Sequence, residues 1–229
     1  MKIFKKGGLK YLDEGEDRSD VILFFHGWGV SPYSCQNLIK VLARRYRVIA
    51  PFFRSFANFK TDEEIIEELV IETQKVIVIG HSAGGISAVD FCSNFPEKIK
   101  ALILIDSLGA VTDKTMSKWV RRWFKESLDI IIHPDSLSKT LIRDFFYQIH
   151  APRRLIRDAK YIINANAHLS ASFPILMLWG KEDELIPIEN GYNLQKAING
   201  AKLKVAEGNH YWFLKKPELF MQELEEFIK

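Results

Sequence analysis

The chain has 229 residues, about one and a half average domains, which fits one elaborated domain or one domain carrying an insertion. Its 47% hydrophobic and 27% charged residues are those of a globular protein and exclude a disordered, collagen-like or disulfide-framework chain. The formal charge of +3 is too small to point to nucleic acid, so no such partner is expected.

The longest apolar runs, Val21 to Phe25, Ala101 to Ile105 and Ile175 to Trp179, have strand length, far short of the ~20 residues of a membrane-spanning helix. No membrane span is expected. Met1 to Lys6 leads into glycines and charges, not into the apolar stretch of a signal peptide. Cys35 and Cys92 are the two cysteines, expected as reduced, buried thiols, and the expected location is the cytoplasm.

In chain order, Lys2 to Lys5 and Leu9 to Asp13, parted by Gly7-Gly8, read as a hairpin, and Val21 to Phe25 as the next strand. Ser34 to Arg45 has helical spacing through Leu38, Ile39 and Leu42, and Arg47 to Ala50 is a strand. Asp62 to Ile71 is a helix for which Thr61 is the expected N-cap. Lys75 to Ile79, Ala83 to Asn94 and Lys100 to Ile105 follow as strand, helix and strand, the helix halted near Pro96. Farther on, Ile175 to Trp179, Glu189 to Ile198, Lys202 to Ala206 and Tyr211 to Ile228 repeat strand, helix, strand, helix. Strands apolar throughout are expected to be parallel and buried on both faces, with helices as crossovers. The fold class is therefore α/β: a mostly parallel sheet, helices on both faces, opened by an antiparallel hairpin.

Between Val111 and Ser172 the alternation stops. Helical apolar spacing runs through Trp119, Val120, Trp123 and Phe124, then Leu137, Leu141, Ile142, Phe145 and Ile149. Eleven Lys and Arg face six acids in this stretch, a net of +5, which leaves −2 for the rest. The expected organisation is a core of residues 1–110 and 173–229 with a helical insertion at 111–172.

Gly80-His81-Ser82-Ala83-Gly84 follows a strand and opens a helix. A nucleophilic serine on a sharp strand-to-helix turn needs small residues two before and two after it, and gains from the helix N-terminus, which favours developing negative charge. The alternative is a plain N-cap serine on a glycine-flanked turn. Serine attacks only when a base takes its proton, and a third group must orient that base. Of six histidines, His210 alone follows the last strand and so reaches the rim of Ser82. His81 would point away from its neighbour's hydroxyl, His26 precedes a loop glycine, and His133, His150 and His168 lie in the insertion. Asp183, after Ile175 to Trp179, is the first candidate for the orienting acid; Asp106, which ends the strand Lys100 to Ile105, is its rival. In His26-Gly27-Trp28-Gly29 the paired glycines allow the Trp28 N–H to face the substrate, with the Ala83 N–H as a second oxyanion donor. Phe52, Phe53, Phe56 and Phe59 near the rim, and Trp123 in the insertion, are candidates to line an apolar acyl pocket; packing beneath the insertion is the alternative.

The order strand, HGWG (26–29), helix, strand, GHSAG (80–84), acid (Asp183), histidine (His210) resembles the α/β-hydrolase fold family. It looks most like the capped carboxylesterases, including the pimeloyl-carrier-protein methyl ester esterases. The resemblance covers about 1–110 and 173–229 and implies Ser82, His210 and Asp183 as a triad, Trp28 and Ala83 as oxyanion donors, and 111–172 as a helical cap. The expected activity is hydrolysis of a small carboxylic ester or thioester without metal or cofactor. The basic insertion raises the expectation of an acidic or carrier-tethered substrate. Carbon–carbon hydrolysis of a diketone, or ligand binding with little turnover, would use the same residues. Two departures stand out. Pro51 to Phe59 lacks the acid and glycines that relatives carry after the fourth strand. A serine nucleophile disfavours dehalogenases and epoxide hydrolases, and HGWG in place of HGGPG disfavours the proline-iminopeptidase branch.

Overall fold

The structure, a computed structural model, describes the chain except residues 72, 74, 112, 113 and 133–135, and leaves out the side chains of 116, 120, 127–132, 136–138, 145 and 147–149. His133, Asp113 and Asp135 therefore lie outside the described residues, as do the side chains of Val120, Leu137, Phe145 and Ile149.

Eight strands form one sheet: β1 (Lys2–Lys6), β2 (Leu9–Glu14), β3 (Val21–Phe25), β4 (Arg47–Phe52), β5 (Val76–His81), β6 (Ile99–Ile105), β7 (Ile175–Gly180) and β8 (Lys202–Ala206), in the order β1-β2-β4-β3-β5-β6-β7-β8. The β1–β2 and β2–β4 pairs are antiparallel, and all others are parallel. As the unbroken apolar runs predict, successive side chains feed two cores. Val76 and Val78 of β5 and Leu102 and Leu104 of β6 point to one; Ile77, Ile79, Ala101 and Ile103 point to the other. The first core is covered by α2 (Phe59–Leu69), α3 (Ala83–Asn94) and α7 (Ile188–Ala197), the second by α1 (Gln36–Leu42), α8 (Trp212–Lys215) and α9 (Pro217–Ile228).

Several boundaries differ from the sequence expectation, and three of them have a visible cause. Residues 31–35 form a turn, with the Ser34 and Cys35 N–H groups donating to Ser31 O and Pro32 O, so α1 begins at Gln36 instead of Ser34. The second helix starts at Phe59, through a 3-10 turn at Phe56–Asn58, so Thr61 is inside it and caps nothing. Burial of Phe56 and Phe59 sets that start. The final stretch is two helices, because Pro217 has no N–H and pushes Lys216 out of helical geometry, to φ −125° and ψ 58°.

Between β6 and β7 lie α4 (Met116–Ile132), α5 (Ser136–Ile149) and α6 (Pro152–Asn164). The chain leaves and returns at neighbouring points, where Ala110 pairs with Asn166 and the Ala167 N–H donates to Gly109 O at 2.7 Å. Buried acids tie these helices down: Asp144 accepts from the Ser31 and Ser34 hydroxyls at 2.6 Å, and Asp158 from the Ser55 hydroxyl at 2.5 Å.

The closest backbone approach in the core sits where α3 crosses β3 and β5. A Cβ at Gly80 would lie 2.7 Å from the Gly85 Cα, and one at Gly84 would overlap the carbonyl oxygens of Phe25 and His26. Both obstacles are backbone and cannot yield. Gly84→Ala is expected to destabilise the fold by about 3 kcal/mol, read from urea unfolding; a loss below about 1 kcal/mol would contradict this packing.

Candidate active site

Strand register gathers the site. Phe25 pairs with Gly80, His81 with Ile105, Ile105 with Leu178, and Gly180 with Ala206. The segments that follow β3, β5, β6, β7 and β8 therefore emerge side by side at the carboxyl edge of the sheet, the place where open α/β sheets bind ligands.

Ser82 lies between β5 and α3 with φ 54° and ψ −123°. Among the described residues, Ser82 and Asp106 are the non-glycine residues with positive φ. Such strain persists only where the surroundings impose it. Here the Ser82 N–H donates to Ile105 O at 3.0 Å, and its carbonyl accepts from the N–H groups of Gly85 and Leu108 at 3.0 and 3.1 Å. Ala83 begins α3, so its N–H has no intrahelical partner. Gly27 lies against Ser82: a Cβ there would be 3.1 Å from the Ser82 Cβ.

The loop after β7 holds Asp183, whose Oδ1 accepts from the Leu185 and Ile186 N–H groups at 2.9 and 2.8 Å. Its Oδ2 accepts from His210 Nδ1 at 2.7 Å, with both residues buried. The backbone carbonyl of His210 accepts from His81 Nε2 at 3.2 Å, which couples the β8–α8 segment to the residue preceding Ser82. Asp106, the rival acid, is fully buried beside this pair. One ligand-type atom from each of Asp106, Asp183 and His210 lies within 4.8 Å of the others. By donor type these could surround a cation, but Asp183 Oδ2 and His210 Nδ1 already satisfy each other through a hydrogen bond. Burial pushes the Asp106 carboxyl well above the usual carboxylate range; the Asp183 charge adds to this and the Gly180 N–H opposes it.

Around this edge the aromatic candidates separate. Trp28 packs between Trp119 and Trp123, with ring centroids 5.2 and 5.6 Å away. Phe53, Phe56 and Phe59 cluster around Phe25 and His26. Phe52 does not join them. It points to the opposite core and meets Tyr33 edge to face, with ring centroids 5.0 Å apart, as alternation along β4 requires. The sequence reading missed the anchoring pairs Ser31/Ser34–Asp144 and Ser55–Asp158. Their signal was an acid on the inward stripe of a helix, Asp144 beside Leu141 and Asp158 beside Ile162. The exposed acids that flank Asp183 are engaged at the surface: Glu182 accepts from the Gly208 N–H, and Glu184 pairs with Lys125.

Two further histidines at this edge, His26 and His81, are buried. His26 Nδ1 faces Gly27 O at 2.8 Å while Nε2 faces the Phe53 N–H at 3.4 Å, the pattern of a neutral ring that donates from Nδ1 and accepts at Nε2. Burial lowers its pKa to about 4, with the Gly27 carbonyl opposing. His81 is lowered as well, by burial and then by His210. A folded-state value below the unfolded 6.5 means that this stability is complete above pH 6.5 and is lost as pH falls toward 4. For His26 the loss between pH 7 and pH 5 is about 2 kcal/mol. Urea unfolding at the two pH values should show this loss in the wild type and a smaller one in His26→Gln; equal losses would contradict a neutral His26.

Comparison with known proteins agrees with this architecture. Residues 22–223 match the alpha/beta hydrolase family. A pimeloyl-[acyl-carrier protein] methyl ester esterase of Aeromonas hydrophila is 22% identical over 240 residues, 90% of this chain and 94% of that protein. Epoxide hydrolase 1 of Caenorhabditis elegans is 22% identical over 282 residues, 98% of this chain and 68% of that protein. Among solved structures, an esterase from Exiguobacterium antarcticum superposes with a TM-score of 0.78 at 18% identity, covering 96% of this chain and 95% of that one. Among the described residues no helix is long and apolar enough to cross a membrane. With the family match spanning most of the chain and the parallel sheet and its loop-borne site in place, the chain belongs to the alpha/beta hydrolase family.

Proposed function

We propose that the protein is a serine hydrolase that cleaves carboxylic esters or thioesters through an acyl-enzyme. The observation that carries this reading is the buried His210–Asp183 hydrogen bond of 2.7 Å at the same strand edge as a serine held at φ 54°. Ser82 attacks the carbonyl carbon as His210 Nε2 takes the hydroxyl proton. His210 then returns that proton to the leaving group, and water repeats the sequence to free the acid. Asp183 is the orienting acid: its hydrogen bond at Nδ1 presents Nε2 to Ser82 and stabilises the imidazolium. The Trp28 and Ala83 N–H groups hold the oxyanion. Support comes from Gly27, which brings the Trp28 backbone beside Ser82, and from Ala83's place at the start of α3.

Residues 111–172 act in this reading as a cap over the core of 1–110 and 173–229. Trp119 and Trp123 meet Trp28 across that boundary, and Asp144 and Asp158 bind hydroxyls of the loops after β3 and β4. Phe53, Phe56 and Trp123 are the candidates to line the acyl side, and Phe52 drops out of the set. The similarity to an epoxide hydrolase does not redirect the chemistry, because the residue on the turn is serine and attack by a hydroxyl produces the acyl-enzyme.

A fluorophosphonate probe should label the wild type and leave Ser82→Ala unlabelled. Asp183→Asn should lower kcat on a p-nitrophenyl ester roughly 10⁴-fold, because the imidazole loses its correct tautomer. Absence of both labelling and ester turnover, or rapid diketone cleavage without ester turnover, would overturn the reading. Among relatives, one is named as a pimeloyl-[acyl-carrier protein] methyl ester esterase, and the basic insertion here suits an acidic substrate. Exchanging Arg121 and Arg122 for Glu should raise KM for an acidic ester by about tenfold, one pair of favourable contacts, and leave a neutral ester unchanged; equal effects on both would end the idea.

A further inference from the structure

Asp106 has no part in the mechanism above, yet it is one of two strained non-glycine residues among those described, and the other is Ser82. It is held firmly. Its N–H donates to Leu178 O at 3.0 Å, and its Oδ1 accepts from the Gly180 N–H at 2.6 Å, which ties the end of β6 to the end of β7 three residues before Asp183. The other oxygen, Oδ2, is buried without a hydrogen-bond partner. So is the indole N–H of neighbouring Trp212.

The groups around this carboxyl come from three segments: the Gly180 N–H and Asp183 from the end of β7 and its loop, His210 from the segment after β8, and Trp212 from α8. Two carboxylates this close and this deep cannot both carry charge at neutral pH. Negative charge belongs on Asp183, which receives three N–H donors, from Leu185, Ile186 and His210, against one for Asp106.

We propose that Asp106 is a neutral carboxylic acid at neutral pH, that its Oδ2 hydroxyl points its proton at the Asp183 carboxylate, and that it thereby holds Asp183 in line with His210. As a hydroxyl, Oδ2 donates toward Asp183, so one proton gives the orphaned oxygen a partner. The burial that raises the Asp106 pKa acts in the same direction. Asp106 is on this reading a positioning residue that acts on the substrate only through Asp183, and the inference rests on the triad proposed above.

The test combines infrared spectroscopy with kinetics. At pH 7 the wild type should show a protonated-carboxyl C=O band that is absent from Asp106→Asn. This readout needs no turnover, so it stands or falls separately from the esterase reading. On an activated ester, Asp106→Ala should lower kcat roughly 10²-fold with KM little changed, the scale of a misplaced catalytic group. Asp106→Asn, which keeps a neutral donor, should restore kcat to within a few-fold and leave the acid limb of kcat/KM where it is in the wild type. Three outcomes would overturn the proposal: no such band at pH 7, an Asp106→Asn variant as impaired as Asp183→Asn, or an acid limb moved to lower pH in Asp106→Asn, since that shift would mean a negative charge beside His210 had been lost.

Discussion

Everything at the candidate site depends on how closely one helix lies on the sheet. At its first turn α3 rests on β3 and β5 with backbone against backbone, a distance that only Gly80 and Gly84 permit. A chain that must pass from the end of β5 into a helix so near has no room for a relaxed loop, and the residue between them is forced to a positive φ. The cost of that strain, of order 1–3 kcal/mol, is offset by the surrounding burial and by backbone hydrogen bonds to Ile105, Gly85 and Leu108. Fixing Ser82 in this way also sets the position of Gly27 and of the His81 ring, whose Nε2 reaches across to the His210 backbone.

Electrostatics at the edge follow from the same compactness. Five segments converge there, and their buried ionisable groups must be neutral or paired. His26 and His81 are pushed toward neutrality by burial. Asp183 is paired with His210 and two backbone N–H groups, while Asp106 has one N–H partner. The helices between β6 and β7 obey the same rule, since Asp144 and Asp158 are buried against serine hydroxyls of the underlying loops. Basic residues such as Arg121, Lys139 and Arg153 remain exposed, so the positive charge read from composition faces outward.

Much of the fold was legible because its strands are short, apolar throughout and separated by helix-length segments. That pattern has one stable arrangement, a parallel sheet covered on both sides, and β3 and β5–β8 lie within a residue or two of their expected bounds. Misreadings arose where tertiary packing competes with local signals. Thr61 is a good N-cap by type, but burial of Phe56 and Phe59 starts the helix earlier. Phe52 and Phe53 are alike in composition, and only the pleat of β4 sends them to opposite cores. Tyr211 to Ile228 reads as one helix, whereas Pro217 divides it into two.

The sequence by itself determined the fold class and the candidate residues, because strand length, glycine spacing and the order of serine, acid and histidine are local or one-dimensional properties. Tertiary structure alone decided their relations. Which strand neighbours which, and in what register, determines that residues 27, 82, 106, 183 and 210 meet at one edge, although the chain separates them by as much as 183 positions. The sequence left Asp183 and Asp106 open as acids, because both follow strands at the same rim. Burial and hydrogen bonding separate them: Asp183 faces His210 with three donors on its carboxylate, and Asp106 lies behind it with an unpartnered oxygen. That difference depends on where neighbouring backbones place their N–H groups, which no residue's identity encodes.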